Sequence, residues 1–184
     1  MKALRVVAAA VIAVFVGPLL TGQAAGAAAR ADFGEITVDG SAVDVSVSTA
    51  GDTAGLHFQG VTGASLSLGF TSSSFASLYY AVVTRPGGAT LVNTPLAGVN
   101  AELDLPALPQ TGDYAITIDP IDTDTGTSTV WLSAEASGAA LDATGATEPA
   151  SITRPGQNAR FTFAGATGQR LSLGFTSATF DSLY

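Results

Sequence analysis

Apolar and polar residues alternate in several short runs along the chain. In residues 43–47, VDVSV, valines alternate with polar side chains, and in residues 66–71, LSLGFT, leucine and phenylalanine alternate with serine, glycine and threonine. A period of two residues places the apolar side chains on one face of an extended strand. Similar short runs lie at 78–83, 114–118 and 128–134. Because nothing after the N-terminal segment shows the helical period of about 3.6 residues, the pattern predicts strands.

Clusters of turn-forming residues separate these runs, among them Gly-Asp, Pro-Gly-Gly, Thr-Gly-Asp and Asp-Pro. Roughly seven to nine short strands within about 100 residues, punctuated by such turns, are typical of an antiparallel β-sandwich. We therefore predict an all-β fold, an antiparallel β-sandwich of the jelly-roll or immunoglobulin-like kind.

The sequence repeats itself at an offset of 105 residues. Residues 161–184 match residues 56–79 at 15 of 24 positions without a gap, and residues 151–165 align with residues 46–60. A solenoid would repeat about every 20–50 residues and share one core, so the longer period predicts separate units, each with its own core.

The repeat predicts the organisation of the chain into units. We place a first β-sandwich repeat at 34–136 and the N-terminal half of a second repeat at 137–184, joined by the polar stretch 135–149. Tyr184 aligns with Tyr79, inside a predicted strand. We therefore expect the sequence to be a fragment of a longer protein.

The N-terminus has the pattern of a secretory signal peptide. A positively charged segment precedes the unbroken apolar run 6–16, and small residues follow it. We predict a signal helix within residues 1–31, with cleavage sites in 24–31 and a good candidate at Ala29-Arg30-Ala31. An uncleaved anchor is the alternative, but the run is shorter than the roughly 18–20 residues that span a bilayer. We expect a secreted or cell-surface protein that meets the membrane only through its leader.

Charge and cysteine content exclude several functions. From Asp32 onward the chain has four arginines, no lysine and 15 acidic residues, a formal charge of −11. Nucleic-acid binding needs clustered basic residues, so we exclude nucleic acid as a partner. The chain has no cysteine, which excludes disulfides, zinc–thiolate sites and thiol catalysis.

Several phrases of the sequence carry a family resemblance: RPGQNARFTFAGATGQRLSLGFT at 154–176, RPGGATL at 85–91, LPQTGDYAITIDPIDTDTG at 108–126 and TSTVWLSAE at 127–135. They resemble the tandem repeat of secreted proteins from high-GC bacteria, which is similar to pre-peptidase C-terminal domains. The resemblance implies a β-sandwich accessory module that is not itself catalytic. Such modules lie beside peptidases, glycan-active enzymes or large surface repeats.

The first copy departs from this pattern at one turn. It has Thr49-Ala50-Gly51-Asp52 where the second copy has Arg154-Pro155-Gly156-Gln157. We therefore regard the first copy as a degenerate one.

No catalytic constellation is present in the sequence. His57 is the only histidine, and the repeat replaces it by Thr162. A general base needs an oriented partner and a nearby nucleophile, and no G-x-S-x-G, H-E-x-x-H or phosphate-binding glycine loop supplies one. We predict that His57 is a solvent-side strand residue, and we expect no catalytic residue and no organic cofactor.

Asp119, Asp122 and Asp124 form a candidate calcium site in the segment DPIDTDTG, because Ca²⁺ prefers closely spaced oxygen ligands. The glutamate of an EF-hand loop is missing, and Asp-Pro and Asp-Thr-Gly are ordinary turn formers. We favour a turn, with Asp104 and Asp113 as additional calcium ligands only if the loops converge.

Trp131 is the only tryptophan and a candidate ligand-binding residue. In its strand the apolar face carries Val130 and Leu132, so Trp131 belongs to the opposite face. An outward aromatic ring can stack on a sugar ring or on a neighbouring domain. We favour coverage by a sandwich edge or by the next unit, with binding of a cell-wall glycan or another surface protein as the alternative.

The alternation also predicts a core. Tyr114 is expected to point inward, with its hydroxyl bonded to a loop carbonyl. The other core residues are Phe58, Leu66, Leu68, Phe70, Val82, Ile116, Ile118, Val130 and Leu132, with Phe163, Leu171, Leu173 and Phe175 as counterparts in the second unit. Because the second unit is only a half sandwich, we also expect Leu171, Leu173 and Phe175 to be exposed in the fragment.

Two functions from different classes fit these observations. The first is a non-catalytic extracellular module that acts as a spacer, adhesion or binding domain, with neighbouring repeats as its partners. The alternative is the N-terminal accessory region of a secreted peptidase or glycan-active hydrolase whose catalytic domain lies beyond residue 184.

Overall fold

The structure is a computed structural model that describes residues 28–179. The apolar part of the predicted leader, up to residue 27, and residues 180–184 lie outside the described range. Within that range the strands are β1 (Arg30–Glu35), β2 (Val43–Val47), β3 (Thr53–Gly60), β4 (Leu66–Thr71), β5 (Tyr79–Thr84), β6 (Thr90–Leu96), β7 (Ala101–Asp104), β8 (Gly112–Pro120), β9 (Gly126–Ala134), β10 (Ala136–Ser137) and β11 (Ala159–Arg160).

The first nine strands form two sheets. One has five strands in the order β1-β3-β8-β5-β6, and the other has four in the order β2-β9-β4-β7. All pairings within these sheets are antiparallel except that of β1 with β3. The predicted all-β sandwich is therefore confirmed. Among residues 28–179, no helix is long and apolar enough to cross a membrane.

An apolar core fills the space between the two sheets. Phe58 stacks on Tyr114 with ring centroids 5.1 Å apart, and the Tyr114 hydroxyl donates to the Gln110 carbonyl at 2.7 Å, as predicted. Each large apolar side chain buried in this way contributes about 1.5–3 kcal/mol. Of the residues predicted for the core of the first unit, those found buried are Phe58, Leu66, Leu68, Phe70, Tyr114, Ile116, Ile118, Val130 and Leu132.

The prediction for Val82 is wrong. In β5 the inward residues are Tyr79, Ala81 and Val83, all fully buried, and Val82 is half-buried on the outer face. The segment Tyr79–Val83 is an unbroken run of aromatic and aliphatic residues. Because alternation is absent from such a run, the sequence pattern cannot choose the inward face.

The backbone of the second copy repeats that of the first at the same offset. The Ile36 N–H donates to the His57 carbonyl at 2.8 Å, and 105 residues further on the Leu141 N–H donates to the Thr162 carbonyl at 2.7 Å. β10 and β11 pair in parallel at positions equivalent to those of β1 and β3. The sequence repeat therefore corresponds to a repeat of backbone contacts up to β11.

The two copies follow each other without a free linker at their junction. β9 ends at Ala134 and β10 begins at Ala136, so the start of the predicted linker 135–149 is already a strand. β1 begins at Arg30, ahead of the start predicted for the first unit at residue 34, because Arg30 is paired with Thr53.

Beyond β11 the second copy differs from the first. Residues 171–176 repeat the LSLGFT sequence of β4 but form no strand. Leu171, Leu173 and Phe175 are 47%, 67% and 79% exposed, and Phe163 is 61% exposed. The prediction that these four residues are core counterparts is therefore wrong, whereas the exposure expected for a half sandwich is observed. Within the described range no strand pairs with 171–176, so these side chains have no facing sheet.

Candidate functional site

Trp131 lies on the outer face of the four-stranded sheet. In β9 its main chain is paired with Gly69 of β4, and its indole Nε1 donates to the Thr71 hydroxyl at 3.1 Å. Ser67 and Ser133 are also paired across these strands, on the same face. We call this surface, formed by Ser67, Gly69, Thr71, Trp131 and Ser133, the β4–β9 face. Because Gly69 has no side chain, the backbone is open to contact beside the indole.

A turn of the second copy, Arg154–Gln157, covers the β4–β9 face. The Pro155 carbonyl and the Gly156 backbone lie against Gly69 so closely that a Cβ at Gly69 would overlap the Pro155 carbonyl. Ser67 and Ser133 are 1% and 0% exposed although they point away from the core. The prediction for Trp131 left coverage by a sandwich edge or by the next unit open, and in the structure the covering segment is a turn of the second copy.

Arg154 makes most of the polar contacts of this turn with the first copy. Its Nε donates to the Ser133 hydroxyl at 2.8 Å, and its two Nη atoms donate to the Gly40 carbonyl at 2.7 Å and the Asp39 carbonyl at 3.2 Å. The Asp39 carboxylate lies 3.8 Å from Nε, and the guanidinium carbon lies 5.1 Å from the centre of the Trp131 ring. The guanidinium is planar and has five N–H donors, so it can bond several oxygens at its edge while its face lies over an aromatic ring.

The acceptors of Arg154 are held by a loop tied to β9. Asp39 adopts a left-handed φ of 58°, and its N–H donates to the Leu132 carbonyl at 3.0 Å. Its carboxylate accepts the Ala134 N–H at 3.1 Å. These bonds hold the loop that carries the Asp39 and Gly40 carbonyls against β9. The sequence analysis did not identify Asp39 or Gly40 as functional residues. The only sequence feature that pointed to this contact was the difference between the turns 49–52 and 154–157 of the two copies.

Further contacts join the copies on either side of the turn. The Gln157 side-chain amide donates to the Ala134 carbonyl at 3.0 Å, and the Asn158 amide donates to the Asp104 carboxylate. Arg160 forms a two-pronged ion pair with Glu135, at 2.6 and 2.9 Å. The hydrogen bond and charge of Glu135 raise the pKa of Arg160. The contact between copies is thus polar and charged at its rim and packed at its centre.

The segment with the candidate calcium ligands is a hydrogen-bonded turn in this structure. Both carboxylate oxygens of Asp124 accept main-chain N–H groups, from Ser77 at 2.8 Å and Thr125 at 2.9 Å. Asp122 has a left-handed φ of 55°, and Asp119 lies near the end of β8. Within residues 28–179, no group of three His, Cys, Asp or Glu side chains is arranged to hold a metal ion. The geometry is that of a turn, and calcium binding stays a prediction.

The two additional ligands considered for calcium lie elsewhere. Asp104 ends β7 and accepts the Asn158 amide. Asp113 lies near the start of β8, and the six residue steps from it to Asp119 span about 20 Å along an extended strand. The loops do not converge on one site.

His57 lies on the outer face of the five-stranded sheet. Its Nδ1 is 3.4 Å from the Asp113 carboxylate, and its side chain is 38% exposed. In the neighbouring strands its direct partners are Glu35 and Ala115. The side chain thus occupies the outward strand position that the sequence predicts.

Comparisons with known proteins find similarity to solved structures. No protein-family model matches the sequence, and a search of curated proteins finds no match. Among solved structures, the chain is similar to the pre-peptidase C-terminal domain of a collagenase from Bacillus anthracis, with 13% identity and a TM-score of 0.46 over 56% of this chain and 95% of that one. It is also similar to PliG, a periplasmic lysozyme inhibitor of g-type lysozyme, from Aeromonas hydrophila, with 16% identity and a TM-score of 0.36 over 57% of this chain and 99% of that one. The PliG of Salmonella Typhimurium has 12% identity and a TM-score of 0.35, over 53% and 96% of the two chains. The β-sandwich assignment rests on the strand order of this chain itself.

Proposed function

We propose that the chain is a non-catalytic extracellular β-sandwich repeat module, a structural spacer or adhesion unit of a secreted or cell-surface protein. The observation that carries this proposal is the docking of the second copy on the first. The Arg154 side chain is only 17% exposed and donates to four main-chain or hydroxyl oxygens of the preceding copy. A repeat that is fixed to its neighbour in this way is suited to hold other parts of a protein at a defined distance.

The surface chemistry supports the same role. After its predicted leader the chain is strongly acidic and has no cysteine, so its fold relies on packing and sheet hydrogen bonds. A net charge far from zero keeps chains soluble and apart. In the sequence, no nucleophile is paired with a base by a known motif.

Export is part of the proposal. The Ala29 carbonyl accepts the Thr53 N–H at 2.9 Å, and the Arg30 guanidinium donates to the Ile116 carbonyl at 3.2 Å. Cleavage after Ala31 would divide β1 and remove both contacts. We therefore propose a site further upstream, after Ala27, where Ala25-Gly26-Ala27 supplies the small residues that signal peptidases require.

The alternative is an accessory region of a secreted peptidase or glycan-active hydrolase. The resemblance of the repeat phrases to pre-peptidase C-terminal domains favours it. The domains encoded in the full-length open reading frame would distinguish the two roles. Further sandwich repeats support the spacer, and a domain with a catalytic motif supports the accessory role.

A glycan ligand at Trp131 is a narrower proposal within the same role. Because Arg154 covers the indole, a sugar ring needs the turn to be released before it can stack. Titration of cell-wall polysaccharide should then change Trp131 fluorescence more in Arg154→Ala than in the unaltered chain. An unchanged spectrum in both removes the glycan proposal.

The catalytic part of the proposal is tested with the purified chain. It should release no products from gelatin, casein or cell-wall polysaccharide, and cells that produce it should export it without its leader. Turnover that disappears on His57→Ala would contradict the proposal, since this residue has no catalytic role in it. The control is Thr162→Ala, the same position in the second copy.

A further inference from the structure

The two copies place different side chains on one turn geometry. The turn reads Thr49-Ala50-Gly51-Asp52 in the first copy and Arg154-Pro155-Gly156-Gln157 in the second. The same bond closes both, from Asp52 N–H to the Thr49 carbonyl at 3.1 Å and from Gln157 N–H to the Arg154 carbonyl at 3.2 Å. Both contain a left-handed glycine, with φ of 82° and 68°. Any difference in what the turns contact therefore comes from side chains and surroundings.

The last residue of each turn bonds to the chain just ahead of the strand that opens its copy, which for Gln157 is the end of β9. The Asp52 carboxylate accepts the Ala29 N–H at 2.8 Å, and the Gln157 amide donates to the Ala134 carbonyl at 3.0 Å. Ala134 lies 105 residues after Ala29. In both copies the turn thus holds the chain just before the first strand.

The first two residues of the turn, and its glycine, differ in their surroundings. A Cβ at Gly156 would come within 2.7 Å of the Gly69 Cα, whereas a Cβ at Gly51 would meet nothing within 4 Å among the described residues. Thr49 has no guanidinium with which to bond a neighbouring sheet. The second turn therefore lies against another copy, and the first faces open space in the described part of the chain.

We propose that the β4–β9 face is a receptor for the Arg-Pro-Gly-Gln turn of the following copy, and that the first copy, which lacks the arginine, is the end unit of the array. The inference rests on the proposed function as a repeat module and names the contact that joins consecutive units. The partner of the β4–β9 face is a second copy of this domain within the same chain. Arginine is required because a lysine cannot donate to several fixed oxygens while it lies flat on a ring.

The second copy carries one half of the same receptor. Ser172, Gly174 and Thr176 occupy the positions of Ser67, Gly69 and Thr71. A Cβ at Gly174 would meet nothing within 4 Å among residues 28–179, so no turn covers this position in the described chain. Gly174 is therefore a matched control for Gly69.

The first experiment uses the single tryptophan of the whole chain as its probe. Gly69→Ala introduces a methyl group that fits a strand but overlaps the docked turn, so it should release the turn and expose Trp131 to solvent. The emission of Trp131 should shift to the red and its quenching by acrylamide should increase. Gly174→Ala should leave both unchanged.

The second experiment changes the turn and leaves the receptor intact. Arg154→Ala removes charge-assisted hydrogen bonds and should shift the ratio of released to docked turn by at least about tenfold. Arg170→Ala, an exposed arginine of the same copy, is the control for loss of a positive charge.

The third variant replaces the turn sequence of the second copy by that of the first. It combines Arg154→Thr, Pro155→Ala and Gln157→Asp. If the first copy is an end unit, this turn cannot dock, and Trp131 should become as accessible as in Gly69→Ala. Each variant is also unfolded in urea, and an unchanged midpoint of the sandwich transition shows that the first copy is intact.

The inference is overturned if Trp131 is equally protected in Gly69→Ala, Arg154→Ala and the unaltered chain. It is overturned in its second part if the chain with the transplanted turn keeps Trp131 covered. Export and the absence of turnover are measured separately, so these two parts of the proposed function can hold or fail independently of this inference.

Discussion

Residues 66–72 and 171–177 have the same sequence, LSLGFTS, and different structures. The first segment contains β4, which is paired with β7 on one side and β9 on the other. The second segment forms no strand, and its Leu173 is 67% exposed where Leu68 is 0% exposed. A strand is therefore specified by its neighbours as much as by its own residues, as the context dependence of β propensity requires.

Turns behave differently from strands in this comparison. Ser72 and Ser177 share a left-handed φ, at 54° and 55°, and Gly63 and Gly168 also agree, at 81° and 79°. Turn geometry depends on side chains and backbone within a few residues, so it persists when the sheet is missing. Beyond β11, the described part of the second copy thus keeps its turn geometry although segment 171–176 is paired in no sheet.

The largest effect should come from truncating the same leucine in the two segments. Leu68→Ala removes a fully buried side chain and should lower the free energy of unfolding by about 2–5 kcal/mol. Leu173→Ala should change it by less than about 0.5 kcal/mol, as exposed substitutions do. Urea unfolding followed by circular dichroism measures both. Equal losses would mean that 171–177 is packed in solution, and the comparison would fail.

A smaller effect should come from carboxylates that close turns in the two copies. Asp124→Ala removes two hydrogen bonds in the turn before β9, the strand that pairs with β4, and should cost about 1–3 kcal/mol. Asp142 bonds the Thr144 N–H at 2.9 Å, and this bond lowers the pKa of Asp142. Asp142→Ala should leave the sandwich transition unchanged, because its turn supports no strand of the first copy.

Addition of Ca²⁺ tests the predicted calcium site in the same turn. Millimolar Ca²⁺ should not raise the melting temperature of the unaltered chain, since the Asp124 oxygens already accept two N–H groups. A rise that Asp122→Ala abolishes would restore the calcium site and would show that the loop rearranges around an ion.

The sequence predicted the fold of the first copy and only part of its contacts. Alternation in β4 and β8 identified Leu68, Phe70 and Ile116 as buried, because polar and apolar residues there mark the two faces. It failed at Val82, where every neighbour is apolar. The exposed Leu173 could not be distinguished from Leu68 by any local pattern, since the two segments are identical.

The site was less predictable than the fold. Trp131 stood out as the only tryptophan, and the sequence left open whether a sandwich edge or the next unit covers it. Two acceptors of Arg154, however, are the main-chain carbonyls of Asp39 and Gly40. Every residue has a main-chain carbonyl, so the sequence does not mark which ones accept a hydrogen bond. Such a receptor is visible only once the fold brings a loop, a sheet face and a second copy together.

Burial of Tyr79 predicts a pH dependence in the first copy. Desolvation raises the pKa of Tyr79 above its usual value of 10.0, only partly offset by a hydrogen bond with Ser73. The stabilisation from this group is therefore complete below pH 10 and is lost as pH rises through the pKa of the folded state. Tyr79→Phe should flatten the fall in stability above pH 10, measured by urea unfolding at a series of pH values. Tyr80→Phe, at the exposed neighbouring residue, should follow the unaltered chain.

The smallest expected effect concerns the position of the first residue of the exported chain, just before β1. β1 is structurally equivalent to β10. Ala31 is paired with Ala54 just as Ala136 is paired with Ala159, so both copies use a short parallel strand at their first sheet edge. In the second copy that strand follows β9 directly. In the first copy the strand is complete only if the leader is cleaved before β1 begins at Arg30. Intact-mass measurement of the exported chain should therefore place its first residue at or before Ala29. A mature chain that begins at Asp32 would lack two of the six residues of β1, and β1 and β10 would then not be equivalent strands in the exported protein.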